Sequence, residues 1–305
     1  MSTSIKKIIK NPGLLFLTLG HRGFLNWMND KTYLSIAFKI RMGKKLNLDT
    51  PKTYSEKLQW LKIYDRQPQY TEMVDKYKVK DYVASIIGKE YIIPTIGVWD
   101  KFEDIDFEKL PQQFVLKCTH DSGGLVICRD KNTLNIEKAK RKINKCLKHN
   151  FFYAQREWPY KNVVPRIIAE IYMEDGKDQE LRDYKFFCFD GKVKALFIAT
   201  DRETEDEETK FDFFDENFNH LNFTNGHPNA INPPHKPYQF ELMKELAEKL
   251  SVNIPQVRVD FYEVNGKVYF GEMTFFHWSG MTPFEPEEWD YKFGSWIKLP
   301  DKREN

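Results

Sequence analysis

Two acids on either side of a tight turn are the first residues in this chain that could do chemistry. Asp260 and Glu272 lie in residues 257–274, V-R-V-D-F-Y-E-V-N-G-K-V-Y-F-G-E-M-T, where two β-branched and aromatic runs flank Asn265-Gly266. Asn-Gly between such runs is a strong hairpin signal. Side chains alternate along a strand, so Arg258 shares a face with Asp260, and Glu272 with Thr274. Whether the two acids face each other depends on the turn. A strict two-residue Asn-Gly turn puts them on opposite faces. A three-residue loop with Gly266 in the left-handed conformation, or a bulge, puts them together. Two carboxylates on one face suit Mg²⁺, a hard cation that takes oxygen ligands and usually keeps waters and substrate phosphates. A solvated surface hairpin fits the same residues.

A second stretch could hold phosphate. Residues 114–117 form an expected strand ending in Lys117, followed by C-T-H-D-S-G-G and a second apolar strand over 125–129. Free loop N–H groups can wrap phosphates while an ammonium neutralises them. The pattern is not Walker A, which needs wider spacing, a Gly-Lys-Ser/Thr ending and a following helix. An ordinary glycine hairpin beside a snorkelling lysine remains the alternative.

The elements that must position these residues follow from periodicity and punctuation. Residues 1–48 read as helical, basic and aromatic. Ser55 reads as the N-cap of a helix over 56–64, and residues 70–87 as one helix closed by Gly88. Short β pieces are expected at 91–99, and residues 135–150 read as a basic amphipathic helix. Strands follow at 167–172 (with Glu170), 183–190 and 192–199, the last two joined at Asp190-Gly191, and a short strand at 211–214. Residues 239–250 form an amphipathic helix that leads into the 257–274 hairpin. There is no internal repeat and no clean linker.

The bulk numbers bound the answer. A chain of 305 residues, 41% hydrophobic, 30% charged and 15% aromatic, can bury a large core and is not disordered. A net charge of +2 demands no nucleic acid partner. Cys118, Cys128, Cys146 and Cys188 lack metal-ligand spacing and read as reduced, mostly buried thiols of a cytoplasmic protein. No apolar run approaches the roughly 20 residues of a spanning helix. The basic start and the apolar run at 13–19 leave a helix lying at the inner membrane surface open, with packing on the body as the other use.

Taken in order, the chain carries F-V-L-K-C-T-H-D-S-G-G, then I-I-A-E-I-Y, then D-Y-K-F-F-C-F-D-G-K, and last V-R-V-D-F-Y with F-G-E-M-T-F. That ordered set resembles the ATP-grasp superfamily, and more closely the TupA-like (teichuronopeptide-biosynthesis) ATP-grasp family, which occurs among bacterial cell-surface polysaccharide genes. The resemblance runs from about residue 54 to 300. It implies an α+β ATP-grasp fold, two α+β lobes gripping ATP. The division would be an N-terminal helical extension over 1–48, an N-terminal lobe over 49–110 and nucleotide-binding lobes over 111–300. Lys117 would contact the α/β phosphates, with His120, Asp121, Ser122, Gly123 and Gly124 closing over them. Glu170 would border the adenine or ribose, Lys185 would reach phosphate or adenine, and Lys76 or Lys78 would be an additional nucleotide-side lysine. Asp260 and Glu272 would hold Mg²⁺. Thr274 stands where many ATP-grasp enzymes have an asparagine ligand, a departure that bears on a second metal. Arg258 would face the transferred phosphate or the acceptor carboxylate.

The implied activity is an ATP- and Mg²⁺-dependent carboxylate–amine ligase working through an acylphosphate. Its substrates would be small or glycan-linked carboxylates and amines. A glycosyltransferase is the alternative, with Asp104-x-Asp106 or Asp212 to Asp215 as its nearest acidic pairs. A nucleotide-binding protein without turnover is a third. His120 and His277 flank the site, and Trp278 and Asp201-Arg202 lie in loops at its rim.

Overall fold

The sequence closes two large antiparallel sheets and a short two-stranded one. The computed structural model describes residues 13–121, 123–174, 181–200 and 208–302. Two helices, α1 (Gly13–His21) and α2 (Asp30–Met42), form the N-terminal extension. They are followed by α3 (Tyr54–Tyr64), α4 (Pro68–Val74) and α5 (Lys78–Ile87). Strand β1 (Thr95–Trp99) joins β2 (Phe114–Cys118), β3 (Leu125–Cys128) and, after α6 (Ile136–Leu147) and α7 (Phe152–Gln155), β4 (Ile167–Ile171). This sheet runs β1-β4-β2-β3. Strand β1 therefore pairs into the sheet of the segment beyond residue 110, where the sequence suggested a lobe boundary. Phe114, Leu116, Cys118, Ile167 and Ala169 form a small core with Ala139 and Ile143 of α6. The alternate positions Val115, Lys117 and Glu170 face the other way.

The larger sheet holds β5 (Asp183–Phe189), β6 (Lys192–Thr200), β7 (Lys210–Asp215), β8 (His220–Leu221), β10 (Val257–Val264) and β11 (Lys267–Thr274), in the order β11-β10-β5-β6-β7-β8. Strand β9 (Thr224–Asn225) pairs with β12 (Phe284–Glu285). One face packs on α8 (Phe240–Leu250), for example Phe186 against Phe240 at 6.0 Å. The other carries the charged residues described below and continues into Phe187, Phe197 and Phe213, which meet α9 (Glu288–Trp296) through Phe293.

Two helices differ from their sequence reading. Helix α3 is capped by Thr53 and not Ser55, because Thr53 and Glu56 close a reciprocal capping box. The single helix read over 70–87 is two. Asp75 leaves the helical conformation (ψ 110°), and its carboxylate accepts from the N–H groups of Tyr77 at 2.9 Å and Lys78 at 3.2 Å, starting α5 afresh.

Candidate active site

The hairpin question is answered by a bulge. Asn265 and Gly266 both have positive φ (51° and 75°), as a two-residue turn requires. From that turn outward Val264 pairs with Lys267 and Phe261 with Phe270, a register that would leave Asp260 opposite Gly271. The register then slips by one, and Asp260 pairs with Glu272. A Cβ on Gly271 would lie 3.1 Å from the Asp260 carbonyl oxygen and from the Tyr262 ring, a tight approach that glycine avoids. The acids now share a face with Arg258 and Thr274, and through β5 with Lys185 and Asp183.

Arg258 does not project toward a ligand as the resemblance implied. It is only 7% exposed and forks onto Asp260, with Nε donating to Oδ1 and Nη2 to Oδ2, both at 2.7 Å. Nη2 also donates to Glu272 Oε1 and Thr274 Oγ1, each at 3.0 Å. A planar guanidinium satisfies a carboxylate through two parallel bonds, and that geometry holds it in the sheet. Lys185 adds Nζ contacts at 2.5 Å to Asp260 and Asp183. Burial pushes the Asp260 carboxyl up, against the pull of Arg258 and Lys185. Burial acts the same way on Glu272, but Lys185, Lys76, Arg258 and Lys117 outweigh it and hold that carboxyl at about 2.

Facing these acids, the small sheet and α5 supply cations. Glu170 pairs with Lys117 at 2.6 Å and with Lys80. Burial raises its carboxyl, but the two lysines bring it below the ordinary range. Lys76 lines the same cavity and donates to the Asp121 carbonyl; the helix break at Asp75 puts it there, with its own N–H on Thr119 O at 3.0 Å. Lys78, the other candidate, is exposed on α5. Nothing in the sequence distinguishes Lys80, one lysine among several on an amphipathic helix. The cavity, about 200 Å³, is bounded by Lys76, Lys80, Lys117, Lys185, Glu170 and Glu272. A second of about 340 Å³ shares Lys117, Leu125, Glu170 and Tyr262 and extends over Ile127 and Tyr172. Glu170 thus sits at the junction of a charged and an apolar compartment.

The glycine loop divides. Gly124 and Asp121 line the charged cavity, Asp121 Oδ1 accepting from Gly124 N–H at 3.0 Å. Gly123 has open space around its Cα, and Ser122 lies outside the described residues. His120, expected over the phosphates, is turned beneath the sheet. It is 2% exposed, with Nε2 donating to the carbonyls of Cys146 at 3.0 Å and His149 at 3.1 Å. Cys118, Asp121 and Cys146 come within 4.8 Å of one another under this loop. Burial, then Asp121, lifts the Cys146 thiol to about 11, and burial lifts Cys118 further, so both are neutral donors that brace the loop. All four cysteines are free.

Beyond β11 the chain makes an unusual turn. Trp278 (φ 48°), Ser279 (φ 57°) and Gly280 (φ 62°) are all left-handed, a conformation non-glycine residues adopt only when their surroundings impose it. Here Gln59 Nε2 donates to the carbonyls of Ser279 and Gly280, both at 3.0 Å. The fully buried Lys62 donates to Ser279 O at 2.8 Å, Ser279 Oγ at 2.6 Å and Gln155 O at 3.1 Å. Burial pushes the Lys62 ammonium down to about 7. His277 is buried at the start of this turn. Asn225 Nδ2 donates to Thr282 O and Pro283 O, which leaves Asn225 Oδ1 to accept from His277 Nε2 at 3.1 Å; His277 Nδ1 then accepts from Arg258 Nη1 at 2.9 Å. Burial, with Arg258 and Lys185 nearby, holds its pKa well below the ordinary histidine value. Trp278 itself is 42% exposed. Asp201 and Arg202 lie outside the described residues.

Asp260, Glu272 and Thr274 offer oxygen alone on one face, the donor chemistry of a hard cation. Glu272 keeps a partly open side chain toward the cavity, whereas an entering Mg²⁺ would displace Lys185 or Arg258 from Asp260. The set fits Mg²⁺.

The TupA-like ATPgrasp family profile matches residues 56–298. No curated protein matches the chain. Among solved structures, D-alanine–D-alanine ligase from Bacillus anthracis complexed with ATP is 16% identical over 66% of this chain and 53% of its own (TM-score 0.36). The enzyme PsnB, an ATP-grasp ligase complexed with minimal precursor, Mg and ADP, is 10% identical over 85% and 65% (TM-score 0.39), and D-cycloserine synthetase DcsG is 14% identical over 75% and 70% (TM-score 0.42). The chain spans about half to two-thirds of the length of the first of these structures. With the profile covering most of its length and two α+β sheets enclosing a lysine-lined cavity, the chain belongs to the TupA-like ATP-grasp family and has an ATP-grasp fold.

Proposed function

We propose that this protein is an ATP- and Mg²⁺-dependent carboxylate–amine ligase that acts through an acylphosphate in the synthesis of a cell-surface polysaccharide. The observation that carries the reading is the cavity in which Lys76, Lys80, Lys117 and Lys185 converge opposite Glu272 and Asp260. Four ammonium groups around a space bordered by acids suit a polyphosphate that arrives with its own cation. The apolar compartment over Ile127 and Tyr172 suits the base of the nucleotide.

In this reading an oxygen of the substrate carboxylate attacks the γ-phosphorus, and the bond to the β-phosphate oxygen breaks to release ADP. The amine then attacks the acyl carbon, loses a proton, and phosphate leaves. Phosphoryl transfer asks little covalent chemistry of the protein, so the residues act by positioning and charge. Lys117 and Lys80 neutralise phosphate oxygens once Glu170 shares them with the nucleotide. Lys185 moves between Asp260 and phosphate. Arg258 holds both acids at the spacing the sheet sets, and Asp260, Glu272 and Thr274 would hold Mg²⁺, which when bound supplies charge neutralisation to the phosphates. Trp278, exposed on its constrained turn, is available to an acceptor. Of the acidic pairs a glycosyltransferase would need, Asp106 is exposed and paired with Lys109, and Asp212 is buried against His220.

Calorimetric titration of ATP with and without Mg²⁺ tests this. Wild type should bind ATP at micromolar level only with Mg²⁺, and Glu272→Gln should weaken binding at least tenfold, about 1.4 kcal/mol. No ATP binding by wild type, with binding of a nucleotide sugar instead, would sink the ligase reading.

A further inference from the structure

The N-terminal extension has a charge and a surface unlike the rest of the molecule. Residues 1–48 hold nine of the chain's 47 Lys and Arg but one of its 45 acids, leaving 38 basic and 44 acidic residues in the remainder. That one acid, Asp30, is already neutralised by Arg66 at 2.6 Å and Arg156 at 3.2 Å. Arg22, Lys31, Lys39, Arg41 and Lys45 are all exposed.

Between α1 and α2 the chain turns at residues 22–28, and this turn presents Phe24 at 65% and Trp27 at 79% exposure. The two belong to one unit: the Trp27 indole N–H donates to Phe24 O at 3.1 Å. Leu15 on α1 and Ile36 on α2 are also exposed. Single exposed apolar residues are ordinary on a protein surface, but two adjacent large aromatics among cations and without acids are not.

The turn is also held firmly. Arg156, fully buried, reaches up from the end of α7, and its Nη2 donates to Leu25 O at 2.7 Å. Its guanidinium lies 4.4 Å from the centre of the Tyr33 ring, while Tyr33 OH donates to Ala154 O at 2.9 Å. The aromatics are therefore displayed on a fixed platform, which lowers the ordering cost of burying them elsewhere.

We propose that this turn, with the basic surface of α2 that follows it, seats the protein on an anionic lipid bilayer. Phe24 and Trp27 enter the interfacial layer, where amphipathic aromatic rings are favoured. Arg22, Lys31 and the other exposed cations of the extension meet the negative headgroups, an attraction screened by salt. The contact is peripheral, since no described helix is long and apolar enough to cross a membrane. With Asp30 the one acid of residues 1–48 and already paired, the extension's charge favours an anionic surface over a second copy of this basic face, which would repel itself.

Co-sedimentation of the full chain with vesicles tests it. Binding should be strong to phosphatidylglycerol mixed with phosphatidylcholine, weak to phosphatidylcholine alone, and reduced by salt. Phe24→Ala with Trp27→Ala should weaken it roughly a hundredfold, since each buried ring is worth about one decade. Arg22→Glu reads the electrostatic part alone. Tyr238→Ala, at a residue 89% exposed but outside the extension, should change nothing. Because Phe24 and Trp27 are exposed, the double variant should melt with wild type. Equal binding by wild type and the double variant, no preference for the anionic vesicles, or a wild-type dimer that the double variant loses would each overturn the proposal.

Discussion

At the residue scale the site is a set of shared protons and shared charges, and pH reads it. His277 is held neutral in the folded state and titrates near pH 6.5 when unfolded. The unfolded chain therefore takes up a proton that the folded one refuses, and stability falls as pH drops below about 6.5, by up to about 1.4 kcal/mol per pH unit. Urea unfolding between pH 7.5 and 5 should show this slope. It should flatten in His277→Gln, whose amide can still accept from Arg258 and donate to Asn225. Glu272 acts in a separate window. Its carboxyl is depressed to about 2, so its stabilisation is complete above the unfolded value near 4.3 and is lost only as pH falls toward 2. Much of this residue set was legible. Lys117, Glu170, Lys185, Asp260 and Glu272 were each marked by strand alternation and order in the chain, and the fold brings them to one cleft. His120 misled because it adjoins the glycines. Past the strand it falls on the Cys118 side, where the carbonyls of Cys146 and His149 take its ring nitrogen. Lys80 was invisible because only the docking of α5 on the small sheet gives it Glu170 as a partner.

At the element scale three local irregularities shape the candidate site, and each resists reading from sequence for its own reason. The Asn265-Gly266 turn was legible because it is local. The slip at Gly271 depends on β10 alongside it, and a sequence offers several ways of spending one extra residue. Gly271→Val should press on the Asp260 carbonyl and on Tyr262 and pull the two acids out of register. Mg²⁺-dependent ATP affinity should fall at least tenfold, with a smaller effect on the melting temperature, in paired calorimetric and thermal measurements. The break at Asp75 was hidden inside an otherwise helical pattern, although an aspartate ahead of an apolar-periodic run is also a cap signal. The turn at 277–280 is the third such element. Lys62→Met keeps the stem but removes the Nζ donor from Ser279 and Gln155 and deprives the buried Glu157 of the charge that most lowers its carboxyl. Loss of one partner from a buried charged set costs roughly 3–5 kcal/mol. Chemical denaturation should report that loss, and Trp278, released from its left-handed conformation, should become more accessible to a collisional quencher.

At the scale of the whole molecule, composition told little and topology a great deal. A net charge of +2 conceals a basic extension on an acidic body, visible only when the chain is divided. The two sheets followed from ordered hairpins, but how they face each other did not, since that is set by side chains meeting across the cleft. The segment 154–157 shows what this means for the molecule as an object. Ala154 takes the Tyr33 hydroxyl, Gln155 takes Lys62, Arg156 holds the 22–28 turn, and Glu157 is buried next to Lys62. The extension lies outside the family match when read along the chain, yet it is tied into the wall behind the 277–280 turn. A protein trimmed to begin at residue 49 would uncover the apolar surface under Tyr33, Leu34 and Phe38 and strip Arg156 of Asp30, Leu25 O and the Tyr33 ring, and it should be recovered mostly as aggregate, measured as soluble yield beside the full chain. A shortened form of this protein must therefore keep the 22–28 turn and the helix after it.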